Sequence, residues 1–146
     1  LDLIINLIVV ALAPAICEEL LFRGALQRIF HERFDLHLAI LAAAVVFSAF
    51  HMQFLGFVPR LVLGVVLGYL YAWSGKLIYP MLLHFVNNAT VVVLVYIMGP
   101  EMLETQEATL TASSPFVVLL LGVGISAAAM YYVYNATLTP DESNPS

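Results

Sequence analysis

The sequence predicts an all-helical, polytopic membrane protein. Of its 146 residues, 62% are apolar and only 10% are charged, and the mean hydropathy is +0.98. A soluble domain usually has about 25% charged residues, so this chain has too few polar side chains to cover a soluble surface. The apolar residues lie in five stretches that lack the period-two alternation of barrel strands. We therefore predict a bundle of about five hydrophobic transmembrane helices.

The apolar stretches give the helices in order. We predict them at residues 3–29, 36–51, 59–73, 79–98 and 115–134. Pro14 should kink the first helix. Pro59 and Pro80 fall in the first turns of the third and fourth helices, where a missing N–H does no harm. Gly64 and Gly68 form a GxxxG pattern, which predicts that another helix backbone approaches the third helix closely.

We expect one membrane domain, residues 1–134, followed by a disordered polar tail, residues 135–146. Because the chain begins without Met inside an apolar run, we also expect further residues upstream. Arg28, Arg33 and Lys76 lie in two loops on one side of the membrane, which the positive-inside rule places in the cytoplasm. The net charge of −5 and the absence of a basic stripe argue against nucleic-acid binding. The expected location is a prokaryotic cell membrane, with the lipid bilayer as partner.

Two adjacent glutamates, Glu18 and Glu19, interrupt the first apolar stretch. An ionised carboxylate at bilayer depth is costly unless it is paired or hydrated, so such residues indicate function. Glu19 and Arg23 are four residues apart and can form an ion pair on one helix face. Neighbouring helical residues point about 100° apart. We therefore expect that the two glutamates cannot aim at one point and that Glu18 needs a different partner.

Two further helices carry polar residues in apolar surroundings. His51 closes the second helix, and His84 and Asn88 share one face of the fourth. Counted from the predicted cytoplasmic ends at about 1.5 Å per residue, Glu18, His51 and His84 lie at comparable depths. We therefore predict a polar pocket near the middle of the membrane. Helices one, two and four would surround it, and helix three would pack behind it.

Such a pocket suits hydrolysis. A carboxylate in an apolar site can take a proton from water near neutral pH, a histidine can position that water, and His84 and Asn88 can donate to an oxyanion. Zinc is the alternative, because a carboxylate and two imidazoles, here Glu18, His51 and His84, form a known catalytic zinc set. The sequence lacks the HExxH helix of many zinc proteases. We favour a metal-free, glutamate-activated water and keep Zn²⁺ as the alternative cofactor.

The polar residues form three motifs, EExxxR, FxxxH and HxxxN. Their members are Glu18, Glu19, Arg23, Phe47, His51, His84 and Asn88. In this order, on consecutive apolar helices, the motifs resemble those of the CPBP intramembrane proteases, which include the type II CAAX prenyl endopeptidases and the bacterial Abi proteins. The resemblance implies a four-helix catalytic core. It also implies hydrolysis of peptide bonds in peptides or in prenylated or otherwise lipidated proteins, within or beside the membrane.

The resemblance also implies a role for each motif residue. Carried over by position, Glu18 would be the base that activates water, with His51 assisting. His84 and Asn88 would form the oxyanion site, and the remaining glutamate and the arginine of the first motif would be supporting polar partners.

The sequence also allows two other functions. The chain could be a non-catalytic member of the same fold that acts as a membrane scaffold or as a regulatory or immunity protein. It could also be a proton- or ion-coupled transporter with Glu18 as relay, which predicts internal repeats, and the sequence shows none.

Overall fold

The computed structural model describes residues 2–54 and 56–99, together with Tyr131 and Asn135. Residues 2–54 and 56–99 form four helices and no strand: α1 Leu3–His31, α2 Leu36–Phe50, α3 Phe57–Ser74 and α4 Ile78–Met98. Three of them, α1, α3 and α4, are long and apolar enough to cross a membrane, whereas α2 is shorter. The predicted helical class is confirmed. The predicted fifth helix and the polar tail lie outside the described residues, except for the two isolated positions.

Helix α1 is continuous but not uniform. It contains two π-helical segments, Leu7–Leu12 and Leu20–Leu26, on either side of an α-helical piece, Ala13–Glu19. Pro14 lies in the first turn of that piece, directly after the first π segment. Proline has no N–H for a bond to the preceding turn, so the register of helical hydrogen bonds changes where the ordinary bond cannot form. The second π segment starts immediately after the two glutamates.

Local sequence signals set the other helix boundaries. The Asp35 carboxylate accepts a hydrogen bond from the Leu38 N–H at 3.0 Å and caps the start of α2. At the end of α3, Gly75 adopts a φ of 65°, which glycine reaches without a steric penalty, and its N–H bonds to the Tyr71 carbonyl at 2.9 Å. The boundaries fall within two residues of those predicted.

Small residues of α3 allow a close contact with α2. Helices α2 and α3 pack together most extensively, the first half of α1 packs on α4, and the last turns of α1 pack on α2. A Cβ atom added to Gly64 would lie 3.0 Å from the Ala44 Cβ, and one added to Gly68 would lie 2.7 Å from the Ile40 Cγ2. The close approach predicted from GxxxG is therefore confirmed. It brings α3 behind the polar residues of α1.

Candidate active site

Glu19 and Arg23 form a fully buried ion pair. Their side chains are 0% and 1% exposed, and Arg23 Nη1 donates to Glu19 Oε1 at 2.8 Å. Arg23 Nη2 also donates to the Gly64 carbonyl of α3 at 2.9 Å, and the guanidinium carbon lies 4.7 Å from the centre of the Phe47 ring. The pair that the spacing predicts thus forms. It also ties α1 to α2 and α3.

His84 contacts both glutamates. Its Nδ1 lies 2.8 Å from Glu19 Oε1, and its Nε2 lies 3.8 Å from Glu18 Oε2. The two glutamates therefore do not aim at one point, but they approach one ring at two different atoms. One imidazole presents a nitrogen on each of two edges, so two diverging glutamate side chains can approach the same ring from different directions.

His51 faces the same oxygen of Glu18 from α2. Its Nε2 lies 3.8 Å from Glu18 Oε2, and its Nδ1 lies 2.9 Å from the Phe47 carbonyl. A carbonyl oxygen can only accept, so Nδ1 of His51 carries the hydrogen. In the neutral ring, Nε2 then presents a lone pair to the pocket. The Phe47 ring meets both imidazoles edge to face, at centroid distances of 5.1 Å for His51 and 5.8 Å for His84.

The Glu18 carboxylate lies at the centre of the pocket. Its Oε2 atom is buried and has no hydrogen-bond partner among the described residues. A separation of 3.8 Å is too long for a direct hydrogen bond to either histidine but suits a bridging water. The side chains of Glu18 and His51 are 24% and 27% exposed, whereas His84 is 3% exposed. The pocket therefore opens on the side of Glu18 and His51.

Asn88 lies one helical turn beyond His84 on α4, as its spacing predicts. Its side chain is half-buried, and its hydrogen-bond partner among the described residues is Asn87, whose Nδ2 donates to Asn88 Oδ1 at 3.3 Å. That bond uses the amide oxygen and leaves the Asn88 N–H₂ available as a donor. The oxyanion role of Asn88 stays a prediction.

Sequence reasoning missed Gln27. Its side chain is 3% exposed, and its Nε2 donates to the Gly68 carbonyl at 3.1 Å. One turn earlier, Arg23 makes the corresponding bond to Gly64, so two side chains of α1 bond to both glycines of the GxxxG pattern. The signal was present in the sequence, because Glu19, Arg23 and Gln27 recur every four residues on one face of α1.

Glu18 and the two histidines are also the donor set that a zinc ion would use. Glu18, His51 and His84 converge, and the Nδ1 atom of each histidine is already bonded to an oxygen, as is usual behind metal ligands. However, no group of three His, Cys, Asp or Glu side chains in residues 2–54 and 56–99 is arranged to hold a metal ion. The metal-free mechanism and the Zn²⁺ alternative both stay predictions.

Comparison with known proteins is consistent with this geometry. Residues 1–90 match the sequence model of the family described as type II CAAX prenyl endopeptidase Rce1-like. The uncharacterized protein YpbD of Bacillus subtilis (strain 168) is 33% identical over 88 residues, which cover 58% of this chain and 42% of YpbD. The chain thus spans less than half the length of that relative. No solved structure shows significant similarity. The matched region contains all three polar motifs, and the chain belongs to the Rce1-like family of type II CAAX prenyl endopeptidases, within the wider CPBP family.

Proposed function

We propose that this integral membrane protein is an endopeptidase that hydrolyses peptide bonds of membrane-associated or lipidated peptides and proteins. The observation that carries the proposal is the convergence of Glu18 Oε2 with the Nε2 atoms of His51 and His84, each 3.8 Å away. These atoms meet between apolar helices, at a separation that suits one water molecule. Membership of the endopeptidase family supports the reaction type.

The charges around the pocket favour one mobile proton. The Glu19 carboxylate is paired with the Arg23 guanidinium at 2.8 Å, whereas the Glu18 carboxylate forms no ion pair within 4.0 Å with an arginine or lysine of the described residues, and Arg60 acts on it only from farther away. An uncompensated charge is costly in a site of low dielectric constant. One proton, on either Glu18 Oε2 or His84 Nε2, cancels it. We infer that these two atoms share that proton, because they face each other across the pocket.

The reaction starts with the proton on His84. The ionised Glu18 carboxylate takes a proton from the bridging water while the water oxygen forms a bond to the carbonyl carbon of the scissile peptide. The Nε2 lone pair of His51 accepts the second hydrogen of the water as a hydrogen bond and so orients it. The carbonyl oxygen becomes an oxyanion, which accepts hydrogen bonds from the His84 imidazolium and from the Asn88 amide.

The peptide bond breaks in a second proton transfer, from Glu18 to the substrate. Glu18 gives the proton it took from water to the amide nitrogen, the C–N bond breaks, and a carboxylic acid and an amine are formed. Throughout, Glu19 accepts the Nδ1–H of His84 at 2.8 Å. It holds the ring in one orientation and stabilises its positive charge, as the acid of a catalytic triad does for its histidine.

The test is proteolysis in liposomes. The substrate is a library of quenched fluorescent peptides anchored to the membrane by a lipid. Glu18→Gln should lower the cleavage rate by about 10²–10⁴-fold, because it removes the general base. The matched control is Glu32→Gln, which makes the same change at an exposed residue beyond the end of α1. Cleavage that survives Glu18→Gln would overturn the mechanism.

A chelator arm addresses the metal question in the same experiment. Cleavage that persists after extensive chelation supports the metal-free mechanism, and loss that added Zn²⁺ restores would replace it. Absence of cleavage in every sample would favour the non-catalytic scaffold hypothesis over the endopeptidase.

A further inference from the structure

A second cation, Arg60, lies beside the loop that follows His51. Arg60 belongs to the first turn of α3, in a helix whose length and composition suit a membrane span. Its Nη2 donates to the Gln53 side-chain oxygen. Its Nη1 is buried and has no acceptor among the described residues. Arg60 as a whole is only half-buried, but a buried N–H group without an acceptor is costly and indicates a partner.

The local chain geometry accommodates this guanidinium. The Arg60 side chain folds back over Gly56, the residue before α3. A Cβ atom at Gly56 would collide with the guanidinium. The Arg60 charge also interacts electrostatically with Glu18. Yet no ion pair within 4.0 Å joins the two residues in the described part of the chain. Arg60 is thus close enough to affect the pocket without being neutralised by it.

The missing acceptor is best supplied by a ligand that enters the pocket. An arginine fork with free N–H groups matches the two oxygens of a carboxylate. A phosphate headgroup from the surrounding lipid would have to reach an atom that is buried from the surface. A peptide already bound beside Glu18 would bring its own carboxylate to that atom.

We propose that Arg60 is a specificity-determining residue that binds a carboxylate of the substrate next to the scissile bond. The inference rests on the proposed endopeptidase function. The carboxylate has two possible sources, the free C-terminus of the peptide and an acidic side chain. In either case the substrate class is a membrane-anchored peptide with a negative charge close to the cleavage site.

Peptide binding tests the proposal without requiring turnover. The probes are N-palmitoylated, dye-labelled oligo-alanine peptides of three kinds: one with a free C-terminus, one with a C-terminal amide, and one amidated with a glutamate near its end. Binding to the Glu18→Gln protein in detergent is measured by fluorescence anisotropy. We expect at least one acidic peptide to bind about tenfold more tightly than the neutral amide, the size of a charge-assisted hydrogen bond. Whichever acidic peptide shows the preference identifies the source.

Substitutions at Arg60 complete the test. Introducing Arg60→Gln into the Glu18→Gln protein should abolish the preference for the acidic peptide. Arg60→Lys keeps the positive charge and should retain part of the preference, which would show that the loss in Arg60→Gln comes from the missing charge and not from misfolding. Arg33→Gln, at an exposed arginine before the start of α2 and so at the opposite end of that helix from Gln53, should leave the preference unchanged. Equal binding of acidic and neutral peptides, absence of binding by all three, or a preference that survives Arg60→Gln would overturn the proposal. The endopeptidase function is judged separately, by cleavage that depends on Glu18.

Discussion

Replacing Arg23 by leucine should destabilise the protein more than any other single change at the site. Arg23 and Glu19 are 1% and 0% exposed, and their charged atoms are 2.8 Å apart. Removing one partner of a buried ion pair typically costs about 3–5 kcal/mol, because it leaves the other charge uncompensated. Arg23→Leu also leaves the Gly64 carbonyl without its donor, at a further cost of about 1–3 kcal/mol. The two costs overlap, so we expect a total loss of about 3–6 kcal/mol.

The double variant Glu19→Gln/Arg23→Leu separates charge from shape. The glutamine has almost the same volume as glutamate, and its amide oxygen can still accept the His84 Nδ1–H. Because no uncompensated charge remains, the double variant should recover about 2–4 kcal/mol of the stability lost in Arg23→Leu. Glu19→Gln alone should cost less than Arg23→Leu, because the arginine retains its bond to the Gly64 carbonyl.

Reversible unfolding in detergent measures these differences. Trp73 is the only tryptophan of the chain and lies at the end of α3, so its fluorescence can follow unfolding in each variant under identical conditions. A loss below about 1 kcal/mol in Arg23→Leu would place this pair with exposed ion pairs, which contribute little. A double variant no more stable than Arg23→Leu would show that the Glu19 charge is not what destabilises the single variant. Either result would refute the reasoning.

Three further predictions concern the backbone around the site. Gly64→Ala should cost about 1–3 kcal/mol in the same unfolding assay, because the new Cβ would lie 3.1 Å from the Ala44 Cα. Gly24→Ala is the control and should not destabilise the protein, because its Cβ would meet only ordinary contacts of 3.4 Å or more. Ser48→Ala removes the 2.6 Å bond to the Phe57 carbonyl at the start of α3 and should cost about 1 kcal/mol, whereas an unchanged midpoint would contradict this role. Met52 adopts a φ of 50°, which a β-branched residue rarely adopts and glycine adopts freely. Met52→Val should therefore lower stability by about 1–3 kcal/mol, whereas Met52→Gly should not. Equal effects of the two substitutions would argue against backbone strain at this turn.

Much of the fold follows from sequence because the signals are local. The ends of α2 and α3 are set by Asp35 and Gly75, which act through their own side chain or backbone conformation. Counting residues from the helix ends puts Glu18, His51 and His84 at comparable depths in the membrane, which predicts that they share one pocket. The count is reliable because the rise per residue of a helix depends little on how helices pack together. The π segments of α1 were not predicted, because a π turn differs from an α turn by one hydrogen-bond register and leaves no change in hydropathy.

The details of the site depend on the direction in which each side chain points and on the partner it meets there. Sequence spacing does not determine either. Spacing alone treats Glu19 as the partner of Arg23 and Glu18 as the catalytic residue. In the structure, Glu19 Oε1 accepts from both Arg23 and His84, at 2.8 Å each. One carboxylate oxygen therefore joins the ion pair that holds α1 against α3 to the imidazole that faces Glu18. Substitutions at Glu19 should then affect stability and cleavage together, whereas substitutions at Glu18, whose Oε2 atom bonds to no described residue, should affect cleavage alone.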